Sequence, residues 1–203
     1  MLDKVGLFGY GVHIMNFLTP NEVLAVLKIA REKSLRDFLL ILLAYKHGMR
    51  ASEVTSLKID DVKDGSVTIR RLKNSRTTVQ PLESHRGVPL LNEVRNLSEW
   101  MKERPADGGG EFLFPSKKGG PLTGNSFNKI FKGYALAAGI DPKKAHPHAL
   151  KHSIANHLIR AGVDIGYLQI RLGHRSLSST QKYVMLEDQE VAVKTQNALI
   201  NIF

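Results

Sequence analysis

The chain has 203 residues, room for one sizeable domain with its own core and too few for two large ones. Hydrophobic residues make up 42% and charged residues 24%, an ordinary globular composition, and the absence of cysteine excludes a disulfide framework, cysteine-ligated zinc and thiol nucleophiles. Lys and Arg total 29 against 19 Asp and Glu, a net charge of +10; basic surface on that scale gains affinity for a polyanion by releasing counterions, so nucleic acid is the expected partner and a merely basic protein the plain alternative.

Met1 to Phe17 is mildly apolar but carries Asp3, Lys4 and His13, and lacks the continuous apolar run of a signal peptide. Residues 1–18 read as a loosely structured lead-in. Thr19-Pro20-Asn21-Glu22 reads as a helix start: Thr19 can cap, Pro20 suits the first turn, and Glu22 stands where a capping-box carboxylate belongs. Val23, Val26, Leu27 and Ala30 follow at helical spacing. A second helix, about Leu35 to His47, is apolar nearly all round and so belongs in the core. Its apolar run, Phe38 to Tyr45, is too short to span a bilayer, and no membrane is expected.

Gly48 ends that helix, and Ala51 to Leu57 reads as another short one. Ser66 to Leu72 and Thr77 to Leu82 read as two strands rich in β-branched residues, joined at Asn74-Ser75 with Lys73 at the tip. Asn92 to Arg104 and Asn125 to Ala138 are predicted helices, with a loop at 106–110. Pro147 opens a helix over about His148 to Ala161, and Asp164 caps the next, which Gly173 ends. A short helix is predicted over Thr180 to Met185. The expected fold is mainly α (α+β), with one small antiparallel β-sheet.

Four constellations carry candidate chemistry, and each alone has a plainer reading. His148 and Lys151 lie three apart in the first turn of a helix, where free amides and the dipole already favour an anion; an ordinary solvated basic pair reads the same way. Leu172-Gly173-His174 is followed nine residues later by Tyr183, either of which can be a packing residue. Arg50 emerges at the core's edge with Glu53 placed to brace it, or the two form a surface pair worth little. Lys73 stands among Arg70, Arg71 and Arg76, a basic finger or a solvated turn.

In their order and joint presence these fragments resemble the tyrosine recombinase (phage integrase) family, over about residues 19–187. The family's Gly-x-Arg-x-x-Glu-x-x-x-Leu motif is similar to Gly48 through Leu57, its hairpin lysine to Lys73, its His-x-Leu-Arg-His box to His148-Ala149-Leu150-Lys151-His152, its Leu-Gly-His box to Leu172-Gly173-His174, and its terminal tyrosine to Tyr183. The run Arg71 to Leu82 looks closest to the short fimbrial phase-variation invertases, which likewise begin at the catalytic domain without a core-binding domain. Against that subgroup, Glu83 to Leu91 looks like an insertion. Its Gly87-Val88-Pro89-Leu90 offers a second place for the hairpin to close.

The resemblance implies strand exchange with no metal and no cofactor. Tyr183 would attack the scissile phosphate to form a 3′-phosphotyrosine, and His148 would accept its proton. Arg50, Lys151 and His174 would stabilise the transition state, Lys73 would protonate the departing 5′-oxygen, and Glu53 would buttress Arg50. Arg70, Arg71, Arg76 and Arg175 would bind DNA. The family's usual second arginine is Lys151 here: the charge is kept and the planar two-point grip is lost, which implies a slower enzyme.

The implied partners are double-stranded DNA with specific recombination sites and further copies of the chain, a monomer when free and a tetrameric synapse on DNA. The implied location is cytoplasmic. A catalytically impaired DNA-binding homologue and a type IB topoisomerase-like relaxer are the alternatives. The apolar tail of 188–203, with Leu199, Ile200, Ile202 and Phe203, docks on a neighbouring protomer or packs on its own domain.

Overall fold

The computed structural model describes residues 17–72, 75–105, 110–181 and 183. Among these, helices dominate and one small sheet stands at the side, as the sequence predicts. The helices are α1 (Pro20–Lys33), α2 (Leu35–Lys46), α3 (Ala51–Thr55), α4 (Glu93–Glu103), α5 (Gly124–Ala137), α6 (Pro147–Arg160), α7 (Ile165–Leu172) and α8 (Ser178–Gln181). The strands are β1 (Val62–Lys63), β2 (Ser66–Ile69) and β3 (Thr78–Pro81).

Helix starts follow local chemistry. Thr19 and Glu22 form a capping box on α1, the Thr19 amide donating to Glu22 Oε2 at 2.6 Å and the Glu22 amide to Thr19 Oγ1 at 3.2 Å. Just before it, Leu18 is fully buried and its amide donates to Ser153 Oγ on α6 at 2.8 Å. The lead-in is therefore anchored at Leu18, two residues earlier than α1; residues 1–16 lie outside the described ones. Helix α2 is the centre: Phe38 to Ala44 are each fully buried, and α1, α3, α4, α5 and α6 pack on it. Burying each such Leu, Ile or Phe contributes about 2 kcal/mol. No described helix is long and apolar enough to cross a membrane.

The sheet is antiparallel in the order β1-β2-β3, one strand more than predicted. Asp64 and Gly65, both at positive φ (51° and 70°), make the two-residue turn between β1 and β2. Ile69 pairs with Thr78, so the β2–β3 hairpin closes there. The alternative closure is overturned: Pro89–Leu91 is a 3-10 turn leading to α4, started by a proline that has no amide to donate to a ladder. The segment before it folds back onto the core, with Glu83 paired to Lys46 and its amide donating to the buried Glu93 at 3.0 Å. The last helix is also corrected. It spans Ser178–Gln181, and Tyr183 stands in the turn after it; residues 184–203, with the apolar tail, lie outside the described ones.

Candidate active site

The site begins where α2 ends. Gly48 takes φ +57°, and a side-chain Cβ there would stand 2.6 Å from Leu172 Cδ2 on α7, 3.5 Å from Ile154 Cγ2 and 4.0 Å from Lys151 Cγ on α6. Only glycine allows both that backbone and that approach. Two residues on, Arg50 is the N-cap of α3. Its amide donates to Glu53 Oε2 at 2.9 Å and its guanidinium to Glu53 Oε1 at 2.7 Å. The Glu53 side chain is wholly buried while that of Arg50 keeps 29% exposure, so the pair holds one end of Arg50 inside and leaves a face toward solvent. Burial alone would push the Glu53 carboxyl up. The Arg50 amide, the Arg71 charge, the Arg50 guanidinium and the Lys151 charge together hold it below the usual carboxylate range.

Arg71 corrects the sequence reading. Its side chain has no exposed surface, so it does not stand ready for a DNA phosphate. Nη1 donates to Gly48 O at 2.9 Å and Glu53 Oε2 at 3.0 Å, and Nη2 to His47 O at 2.8 Å and Arg171 O at 3.0 Å. Arg70, 62% exposed, pairs with Asp61, and Arg76 is exposed. The hairpin finger is docked at its base. The Leu72 amide donates to Glu53 Oε1 at 3.3 Å and the Arg76 amide to Gly173 O at 2.9 Å. Lys73 lies outside the described residues.

Pro147 opens α6 as its first residue, and His146 caps it, its side chain accepting from the Ala149 amide. His148 in the first turn is exposed and its ring lies 6.5 Å from that of His146. One turn later Lys151 is 6% exposed, its stem against Gly48 and its charge acting on Glu53.

Helix α7 closes at Gly173, whose φ of +70° lets His174 leave the axis. The His174 ring then shares a hydrogen bond of 3.0 Å between Nδ1 and Thr180 Oγ1, and Arg175 beside it is exposed. Thr180 is fully buried and also accepts the Tyr183 amide at 3.0 Å, so it ties His174 and Tyr183 together. Tyr183, 5% exposed, packs with Ala155, Leu168 and Leu172. Burial pushes its phenol up to about 12, and the Arg50 charge pulls the other way. The ring of His152 lies 5.4 Å from that of Tyr183, tilted by 58°.

Arg50, Glu53, Lys151 and Tyr183 therefore converge. His148 stands in the first turn of the helix that carries Lys151, and His174 joins through Thr180. His152 and Thr180 were missed as contributors. His152 stands in the His-Ala-Leu-Lys-His box and is readable as a neighbour of His148, four residues earlier on the same helix face; nothing in the sequence marks Thr180. Among the described residues no cluster of three or more histidines and carboxylates is placed to hold a metal ion.

Known proteins resemble this chain in sequence and in fold. Tyrosine recombinase XerA of Pyrococcus furiosus is 34% identical over 190 residues, covering 91% of this chain and 63% of its own length. Type 1 fimbriae regulatory proteins FimB and FimE of Escherichia coli K12 are 36% and 33% identical, covering 83% and 91% of this chain and 83% and 93% of their own. The crystal structure of XerA recombinase superposes with a TM-score of 0.73 at 23% identity, over 90% of this chain and 64% of that one. XerH site-specific recombinase, bound to palindromic difH substrate in a post-cleavage complex, gives 0.73 at 25% identity, over 89% of this chain and 52% of that one. This chain thus spans under two thirds of XerA and about half of XerH. The profile of the phage integrase family matches residues 16–190, and the chain belongs to that family.

Proposed function

We propose that the chain breaks and rejoins DNA strands at specific sites. The observation that carries this reading is the convergence of a buried tyrosine with Arg50 and Lys151 around one buried carboxylate, Glu53. In the reaction, Tyr183 Oη attacks the scissile phosphorus. The Oη–P bond forms, the P–O5′ bond breaks, and the phenol proton passes to His148. A phenol held at about 12 is protonated at neutral pH, so attack needs that base and the nearby cations. Arg50, Lys151 and His174 offset the charge on the non-bridging oxygens. Lys73 protonates the leaving 5′-oxygen, and a partner strand's 5′-hydroxyl later reverses the step. The exposed Arg70, Arg76 and Arg175 take backbone phosphates. Strand exchange requires further copies of the chain on paired DNA sites.

The test is a covalent adduct. Nicked duplexes tiled across the DNA flanking the gene are incubated with the protein and resolved on a denaturing gel. A protein–DNA species that Tyr183→Phe abolishes is expected. No Tyr183-dependent adduct on any duplex overturns the reading.

A further inference from the structure

Arg71 lies behind the site, and neither the phosphate chemistry nor the DNA contact uses it. Its surroundings are unusual for a surface hairpin. One guanidinium without exposed area spans the two carbonyls that lead into Arg50, the carbonyl of Arg171 near the end of α7, and the carboxylate that braces Arg50. Gly173 closes over its stem: a Cβ there would stand 2.9 Å from Arg71 Cγ and 2.7 Å from Arg76 O. Two nitrogens each meet two of the four acceptors, a fork that the single nitrogen of a lysine cannot supply.

The charge balance gives this packing a consequence. Glu53 accepts from the Arg50 amide, the Arg50 guanidinium, the Arg71 guanidinium and the Leu72 amide. Without Arg71, the buried carboxylate would draw only on Arg50 and Lys151, the two cations proposed for the phosphate. With Arg71 facing the same oxygen pair, the cluster keeps a net positive charge, and only Arg50 has exposed surface on which to show it. We infer that Arg71 is a positioning residue: it balances Glu53 and fixes the chain entering α3, so that Arg50 meets the scissile phosphate with its charge and direction intact. This rests on the recombinase reading, and it assigns Arg71 a role inside the protein in place of DNA contact.

The experiment is a double-mutant cycle on the nicked duplex that gives the strongest adduct, with single-turnover rates at saturating DNA. Arg71→Met lowers the adduct rate by about 100-fold, as loss of placement at a reacting centre does. DNA binding, read by anisotropy of the same labelled duplex in the Tyr183→Phe background, changes little. Adding Glu53→Gln to Arg71→Met recovers roughly 10-fold, because no uncompensated carboxylate then draws on Arg50. Merely structural damage would deepen with the second substitution. The same cycle with Arg71→Gln, which keeps a donor in the site, decides the matter if Arg71→Met does not fold. An Arg71→Met adduct rate equal to wild type, or a double variant no faster than Arg71→Met, overturns this inference alone. A wild-type protein without any adduct overturns the recombinase reading, and this role with it.

Discussion

Two regions of the molecule differ in how they hold the groups of the site. The first is the large core around α2, which reaches from Leu18 through α1, α3, α4 and α5 to Leu150 on α6. Arg50 and Glu53 grow from its edge. The second is a cluster of Ala155, Leu168, Leu172 and Tyr183, flanked by Leu158 and Ile159. Tyr183, the proposed nucleophile, belongs to this group, which is the smaller one among the described residues. Leu172 touches both, since it fills the space that any Gly48 side chain would need. Among the described residues, the difference teaches that Arg50 and Glu53 rest on a larger apolar support than Tyr183 does. Stability is distributed unevenly in this way in many proteins, and the less strongly packed part is where local opening is easiest.

The contrast can be broken by truncating one leucine in each region. Leu42→Ala, in the fully buried face of α2, should cost about 2–5 kcal/mol of global stability, measured by urea denaturation. Leu168→Ala should lower global stability less but reduce Tyr183 adduct formation more at equal folded fraction. Equal losses of both in the two variants would show that the clusters act as one.

Gly173→Ala comes next. It demands a left-handed backbone of a residue with a Cβ and drives that Cβ into Arg71 and the Arg76 carbonyl. The expected cost is about 1–3 kcal/mol of stability, with loss of adduct because His174 and the hairpin base move together. A melting curve and adduct assay equal to wild type would refute the docking of the finger on Gly173. Lys151→Arg sharpens the comparison on the phosphate-holding side. A planar fork should replace a point charge and speed adduct formation by roughly 3- to 10-fold; an unchanged or lower rate counts against Lys151 as the limiting group.

The smallest effect is an acid one. Glu53 is held below its ordinary value of 4.5 in the folded chain, so it binds its proton less readily folded than unfolded. Its contribution to stability is present above about pH 4.5 and is lost as the pH falls through the folded value. Urea titrations from pH 6 to pH 3 should therefore show a shallower acid loss for Glu53→Gln than for wild type. Parallel curves would mean that the carboxylate gains nothing from its cations.

Legibility followed the range of the forces. Thr19, Asp164 and Gly173 act on their own helix ends, so the start of α1 and both ends of α7 are readable from local residues alone. Asp64-Gly65 was equally local, a hairpin signal between Lys63 and Ser66, and its neglect hid β1. Pro89 likewise argued against a strand at 87–90 through its missing amide. Arg71 was different. Flanked by Arg70 and near Arg76 and Lys73, it reads as one more cation of a solvated finger. Its burial depends on carbonyl acceptors at His47 and Arg171, the second 100 residues away. Thr180 is equally silent until the fold brings His174 onto it.

By itself, then, the sequence determined the helical class, the central helix and which residue types could perform phosphate chemistry, because periodicity, caps and motif order are properties of short stretches. The tertiary structure alone decided which of the neighbouring arginines keeps an exposed face and which is buried behind it. Desolvating a guanidinium is tolerable only where several distant acceptors converge, and no local pattern records that convergence. It also decided that Tyr183 would lie against Ala155, Leu168 and Leu172 and feel the charge of Arg50, more than a hundred residues away along the chain.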